Sequence, residues 1–130
     1  HCTLSPTPMA CIVNTLSKGD ILTHVFHGGD NSCLENDFEA LKIAKEKGVI
    51  LDLGLAGNVH TDFLNFKKSV EAGFLPDVIS TDITCLSAYK RGGRYGMTMC
   101  MSIAKHLGMR DEDIFKAVTS SAAKATADLP

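Results

Sequence analysis

His24 and Asp82 have the chemical types and the sequence positions expected of a metal or acid–base site. Each lies near the end of a short apolar segment that is followed by a loop. Parallel α/β folds place their sites at the carboxyl ends of the strands, so these positions favour a functional role. His1 would supply a third member, and two histidines with an aspartate suit zinc or a similar divalent metal. The pattern predicts a metal site formed by His1, His24 and Asp82.

The candidate residues also have structural interpretations. An aspartate after a strand often caps the backbone N–H groups of the next loop. A single histidine in an apolar strand is commonly a core residue with its hydrogen bonds satisfied. His27, in a glycine-rich loop, could contact substrate or could be solvated. His60, near a predicted helix start, is a weaker candidate, and His106 near a helix end suits the helix dipole instead.

A predicted loop carries Arg91 and Arg94 on either side of two glycines. Guanidinium groups on such a loop could cover an anionic substrate, and a solvated loop is the alternative. Further glycines at 28–29 and 54–57 allow close approach to a ligand, but neither stretch has the spacing of a dinucleotide or phosphate loop.

The elements that must position these residues alternate along the chain. Apolar segments at 21–26, 49–53 and 77–83 predict buried strands, each followed by a loop and a helical pattern. Residues 1–8 could end an earlier strand, with a helix over 9–16. Such βα units predict an α/β fold with parallel strands. Because an eight-stranded barrel takes about 250 residues, half of a barrel and a small open sheet both fit the pattern.

Capping residues mark the ends of the predicted helices. Asn36 and Thr61 are of the types that cap helix N-termini, and Gly48 is typical of a helix end. A further helix is predicted over 97–107. The acidic run at 111–113 suits the first turn of the last helix, where the helix dipole favours negative charge.

Composition excludes several classes of protein. Among 130 residues, 13 basic and 15 acidic side chains give a net charge of −2, too balanced for a nucleic-acid-binding surface. Apolar runs are far shorter than the roughly 18 residues of a membrane helix. Five scattered cysteines without C-x-x-C spacing predict reduced, structural thiols in a cytoplasmic protein. No targeting segment is visible, and the missing initiator Met predicts a fragment. The length, undivided by any linker, predicts one domain, 1–130.

Three segments carry a resemblance to a known family. GDILTHVFHG at 19–28, LDLG at 51–54 and GFLPDVISTD at 73–82 resemble the amidohydrolase superfamily, in its dihydroorotase-like amidohydrolase/deacetylase branch. The residues at 107–109 and 114–119 are similar to the closing helices of that branch. The resemblance covers almost the whole chain, in the right order and spacing. It implies a TIM-like (β/α)8 metal-dependent hydrolase barrel, of which this chain is the C-terminal half.

The resemblance also implies roles for particular residues. His1 looks like the metal ligand of strand 5, His24 like that of strand 6, and Asp82 like the acid of strand 8. The His-x-His and bridging lysine of the family would lie upstream. Leu55 and Thr84 stand where the branch usually has histidines, and Ile103 where it has a lysine. These departures point to a divergent substrate or weakened activity.

The expected function is hydrolysis of a C–N bond in a cyclic amide or N-acyl substrate. One or two divalent metals, zinc first among them, would activate water, and Asp82 would act as general base. His27, Arg91 and Arg94 could contact this small-molecule substrate. Partners would be the upstream remainder of the barrel and a possible second copy of the chain. The alternative is a non-catalytic α/β binding module, or a degenerate barrel without metal, with structural histidines.

Overall fold

Parallel strands form the centre of the fold. A computed structural model describes residues 1–55, 60–85 and 96–127. Strands β1 (Ile21–Thr23) and β2 (Ile50–Asp52) pair in parallel, with Ile21 opposite Ile50 and Thr23 opposite Asp52. A third segment joins the other side of β2 through a parallel bridge between Asp52 and Val78. The predicted α/β fold with parallel strands is therefore confirmed.

The strands are shorter than the apolar segments predicted. The prediction placed His24 inside its strand, but β1 ends at Thr23 and His24 has φ 60°. Asp82 likewise has φ 50°, beyond the extended segment at Val78. Residues other than glycine rarely adopt a positive φ, and a strand requires a negative φ, so neither residue can continue its strand. His24 consequently lies in the bend directly after β1, and Asp82 lies in the irregular segment that follows Ser80.

Helices alternate with these strands as the sequence predicts. The described helices are α1 (Met9–Thr15), α2 (Glu35–Lys47), α3 (Phe63–Glu71), α4 (Met97–His106), α5 (Asp111–Val118) and α6 (Ser120–Thr126). The last predicted helix is divided in two, because Thr119, with φ −127° and ψ −90°, is not helical. No helix among the described residues is long and apolar enough to cross a membrane.

The two predicted N-caps are wrong. Asn36, Asp37 and Phe38, within the range of α2, have left-handed φ values of 49°, 56° and 61°, so its regular right-handed turns begin only after Phe38 and Asn36 is not their N-cap. Asp62, rather than Thr61, caps α3 by accepting a hydrogen bond from the Asn65 N–H at 2.8 Å. Thr61 is buried, and its hydroxyl donates to backbone carbonyls of the β2 loop instead. The prediction for Gly48 is confirmed, since its φ of 72° ends α2 in a left-handed C-cap.

An apolar core fixes the helices against the strands. Phe26, just after β1, packs against Phe66 of α3 with ring centroids 4.9 Å apart, and both are fully buried. Leu22 of β1 and Leu41 of α2 are buried in the same cluster. Burying large side chains of this kind contributes about 1.5–3 kcal/mol each. The core therefore holds the carboxyl ends of β1 and β2 next to the start of α3.

All five cysteines carry free thiols, as the sequence predicts. Cys2, Cys33 and Cys100 are buried, and burial raises the pKa of each thiol to about 11. A thiol with so high a pKa is a poor nucleophile at neutral pH. These three side chains therefore act as packing residues.

Candidate metal centre

Three histidines from distant parts of the chain meet at the carboxyl ends of the strands. One ring nitrogen from each of His1, His24 and His60 lies within 4.8 Å of the others. The ring centroid of His24 is 4.3 Å from that of His60 and 4.5 Å from that of His1. A tetrahedral zinc with bonds of about 2.1 Å separates its ligand atoms by about 3.4 Å. Binding one ion would therefore require the three nitrogens to approach by about 1 Å. It would also require the stacked His24 and His60 rings to rotate so that their in-plane lone pairs converge.

The position of His24 results from β1 and the β2 loop. The ring is 3% exposed, and its Nδ1 lies 2.8 Å from the Gly54 carbonyl oxygen. Because a carbonyl only accepts, Nδ1–H must donate, which leaves Nε2 as the lone-pair nitrogen. Histidines that ligate metals commonly donate their second nitrogen in this way. The donor chemistry of His24 therefore fits a metal.

Gly54 allows this approach because it has no side chain. Its φ is 53°, and a Cβ built there would collide with the His24 ring and with the Thr23 hydroxyl. A residue other than glycine would be strained by the backbone and would displace the ring. Gly54 is thus required for the orientation of His24.

The first three residues connect two of the histidines to the strands. Cys2 is buried, and its thiol donates to the carbonyls of Thr23 and His24 at 3.3 and 3.5 Å. This anchor places His1 beside His24. The Thr3 hydroxyl lies 2.9 Å from Nδ1 of His60. The segment therefore aligns the histidine cluster from one side.

A buried carboxylate joins the strands below the cluster. Asp52 accepts hydrogen bonds from the Thr23 hydroxyl at 2.5 Å, the Ser80 hydroxyl at 2.8 Å and the Gly54 N–H at 3.2 Å. Three donors compensate the cost of burying this charge. Each donor comes from a different segment, so Asp52 fixes the relative positions of the strand ends that carry the site.

The structure brings together part of the predicted ligand set. His1 and His24 are adjacent, but Asp82 is exposed and its carboxylate does not belong to the histidine group. Asp82 does follow the third segment, beside β2, where the Leu55 N–H donates to the Ser80 carbonyl at 2.9 Å. Its proposed role as a ligand stays a prediction.

Of the three residues predicted to contact substrate, His27 lies within the described part of the chain. His27 is 1% exposed, so the alternative that it is a solvated loop residue is wrong. Its Nδ1 donates to the Gly28 carbonyl at 2.7 Å, and its buried Nε2 has no hydrogen-bond partner within the described part of the chain. Arg91 and Arg94 lie outside the described residues.

His60 is the member of the cluster that the sequence analysis underrated. The sequence indicates that His60 lies near the start of a helix, and this position does not by itself predict a ligand. The useful signal is that the same loop also begins at the carboxyl end of β2, the edge where the other candidates lie. Loops at that edge are where parallel folds gather functional side chains.

No family model matches the chain. It is 29% identical to a deacetylase of Enterococcus faecalis over 131 residues, which cover 95% of this chain and 34% of the relative. The fold is similar to the crystal structure of a dihydroorotase, with a TM-score of 0.79 and 27% identity. That match covers 94% of this chain and 32% of the dihydroorotase. It is also similar to the crystal structure of an adenine deaminase, with a TM-score of 0.81 and 28% identity. That match covers 93% of this chain and 33% of the deaminase.

The chain spans about a third of the length of these proteins. The dihydroorotase and the adenine deaminase are TIM-barrel members of the amidohydrolase superfamily. The expected fold, an α/β segment of such a barrel, is therefore confirmed. The resemblance found in the sequence is confirmed as well.

Proposed function

We propose that this chain, which fits a partial amidohydrolase domain, is the C-terminal half of a barrel that hydrolyses C–N bonds of cyclic amides or N-acyl compounds with a divalent metal. The observation that carries the proposal is the adjacency of His1 and His24, with the His24 Nδ1–H donated to Gly54. Relatives named deacetylase, dihydroorotase and adenine deaminase suggest hydrolysis at C–N bonds.

His1 and His24 are the residues that would hold the metal. Neutral imidazole nitrogens suit zinc, our first choice, and other borderline divalent ions. When bound, such an ion lowers the pKa of a coordinated water to about 7 and polarises the substrate carbonyl. The upstream half of the barrel would supply the ligands that a second ion requires.

Asp82 is proposed as the residue that moves the proton. Its carboxylate is exposed at the carboxyl edge of the strands, where substrate can reach it. It accepts a proton as water attacks the carbonyl carbon, and returns that proton to the nitrogen as the C–N bond breaks. The products are a carboxylic acid and an amine, so one water is consumed for each bond cleaved.

The remaining predicted residues are proposed to recognise the substrate. Arg91 and Arg94 provide guanidinium groups for an anionic substituent. The buried Nε2 of His27 has no hydrogen-bond partner among the residues that the structure describes, and we assign it to a polar group of the substrate or an ordered water.

Hydrolysis by the full-length protein tests the proposal. N-acetylated amino acids and cyclic amides would be assayed before and after removal of metal with a chelator, and again after zinc is restored. Activity should disappear and return. Asp82→Asn should lower kcat at least 100-fold, since a general base contributes about 10² to 10⁴. Asp37→Asn, a charge change on the exposed surface of α2, is the matched control. Activity that survives both metal removal and Asp82→Asn would exclude this mechanism.

A further inference from the structure

We propose that His60 is a metal ligand alongside His1 and His24, and that Thr3 is the residue that orients it. This inference rests on the proposed metal site and specifies its third nitrogen. Neither the sequence pattern nor the resemblance assigns this role to His60.

The geometry of the three rings carries the inference. The ring of His60 stacks on that of His24 with an angle of 21° between their planes, and its centroid is 5.0 Å from that of His1. A candidate nitrogen of each ring lies within 4.8 Å of the others. Three histidine nitrogens are a complete protein ligand set for a catalytic zinc, which keeps its fourth position for water or substrate.

The two residues that follow His60 are held by contacts to other segments. The hydroxyl of Thr61 donates to the Leu53 and Gly54 carbonyls at 3.4 and 3.5 Å. The N–H of Asp62 donates to the Phe26 carbonyl at 2.9 Å, which ties the start of α3 to the segment after β1. A ligand held on such fixed elements loses little additional freedom when it binds an ion.

Thr3 determines which nitrogen of His60 faces the ion. Its hydroxyl lies 2.9 Å from Nδ1, so we assign Nε2 to the metal. This arrangement matches that of His24, in which Nδ1 bonds to a backbone carbonyl and Nε2 remains the ligand. Losing such an outer partner typically costs 10- to 100-fold in metal affinity.

Metal titration of the full-length protein tests the role of His60. Metal-free protein would be titrated with zinc against a chromophoric chelator, and with cobalt while the visible absorption is recorded. His60→Asn retains a polar atom for Thr3 but has no Nε2. It should lower the affinity of one metal equivalent more than about 100-fold, beyond the range of an outer-partner loss. It should also change the cobalt spectrum.

Two further variants complete the design. Thr3→Val should lower the affinity about 10- to 100-fold. His106→Ala, at the exposed end of α4, should leave both affinity and spectrum unchanged. Circular dichroism of the metal-free proteins identifies any variant that fails to fold. If His60→Asn does not fold, His60→Ala serves as the second variant for the same titration. Wild-type affinity and spectrum in either folded His60 variant would overturn this inference.

The same titration distinguishes the two proposals. If wild-type protein binds no zinc or cobalt, the metal site itself is wrong, and the role of His60 falls with it. If wild-type protein binds metal and hydrolyses amides while the His60 variants bind equally well, only the role of His60 is wrong.

Discussion

A single backbone contact orients His24 in the way that the proposed metal site requires. The Gly54 carbonyl accepts the Nδ1–H, and the missing Cβ of Gly54 leaves room for the ring. The Cys2 thiol bonds to the His24 carbonyl at 3.5 Å and keeps His1 nearby. The orientation of the proposed ligands therefore depends on neighbouring residues that are not themselves proposed as ligands.

Gly54→Ala should weaken metal binding and lower stability together. Gly54 has φ 53° and Gly73 has φ 85°, but a Cβ at Gly73 meets nothing within 4 Å. Both alanine variants should therefore lose about 1–2 kcal/mol of unfolding free energy through backbone strain. Only Gly54→Ala also pushes on the His24 ring, so only that variant should lose zinc affinity. Denaturant unfolding and zinc titration measure the two effects; equal zinc affinity in both variants would contradict the account.

The buried thiols should make stability depend on alkaline pH. Burial raises the pKa of the Cys2, Cys33 and Cys100 thiols from 9.0 to about 11. The protonated thiols therefore favour the folded state fully below pH 9, and this contribution is lost as the pH rises through 11. Urea unfolding should show a falling free energy between pH 9 and 11. A triple serine variant should show a weaker dependence, and an unchanged slope would refute this assignment.

Residue types and strand order were sufficient to predict part of the site. His24 and Asp82 lie at the carboxyl edge of the strands as predicted, although both stand beyond the strand residues rather than inside the predicted segments. The edge could be predicted because the rule depends only on the order of elements. His60 could not be ranked highly, since its approach to His24 requires the fold of α3 onto β2. The sequence likewise gives no sign that Cys2 anchors His1. The Cys2 thiol contacts Thr23 and His24, which lie 21 and 22 positions further along the chain.

At the scale of elements, tertiary contacts decide where α3 begins. Thr61 and Asp62 are both suitable N-caps. Thr61 is buried and its hydroxyl donates a hydrogen bond to the Leu53 carbonyl. The Asp62 carboxylate therefore accepts the hydrogen bond from the Asn65 N–H and caps the helix. The sequence predicts the helix and its approximate start, but the choice between neighbouring caps depends on packing.

Asp62→Ala should destabilise the start of α3. Loss of the cap should lower the unfolding free energy by about 1 kcal/mol. Asp62→Asn retains a side-chain acceptor and should lose much less. Thermal unfolding of the two variants and of the wild type, all in the full-length protein, measures the difference in stability. Equal stability of the alanine and asparagine variants would show that the Asn65 N–H does not need this cap.

At the scale of the whole molecule, the chain leaves a strand edge without a partner. In the described ranges, β1 pairs with β2 on one side only. Large apolar side chains are also exposed, including Leu4 at 70%, Leu64 at 68% and Phe115 at 59%. Unpaired edges and apolar surface favour association with other chains. These features agree with the proposal that an upstream half of the barrel covers this surface.

The isolated 130-residue chain should therefore dimerise or aggregate. Co-expression with the upstream part of the same polypeptide should produce a defined complex, because the free edge of β1 would be paired. Size-exclusion chromatography with light scattering measures both outcomes. A stable, soluble monomer of the isolated chain would contradict the half-barrel proposal. From the sequence, the alternation of elements indicates parallel βα units without separating a barrel segment from an open sheet. The family resemblance implies the barrel segment, and the structural similarity confirms it.

Metal content of the full-length protein tests the central claim most directly. Elemental analysis should find near-stoichiometric zinc or another divalent metal in wild-type protein. His24→Ala should contain at least one equivalent less, because it removes a ligand that Gly54 orients. His106→Ala should match wild type. A protein without metal in all three samples would contradict the account and favour a non-catalytic barrel or binding module.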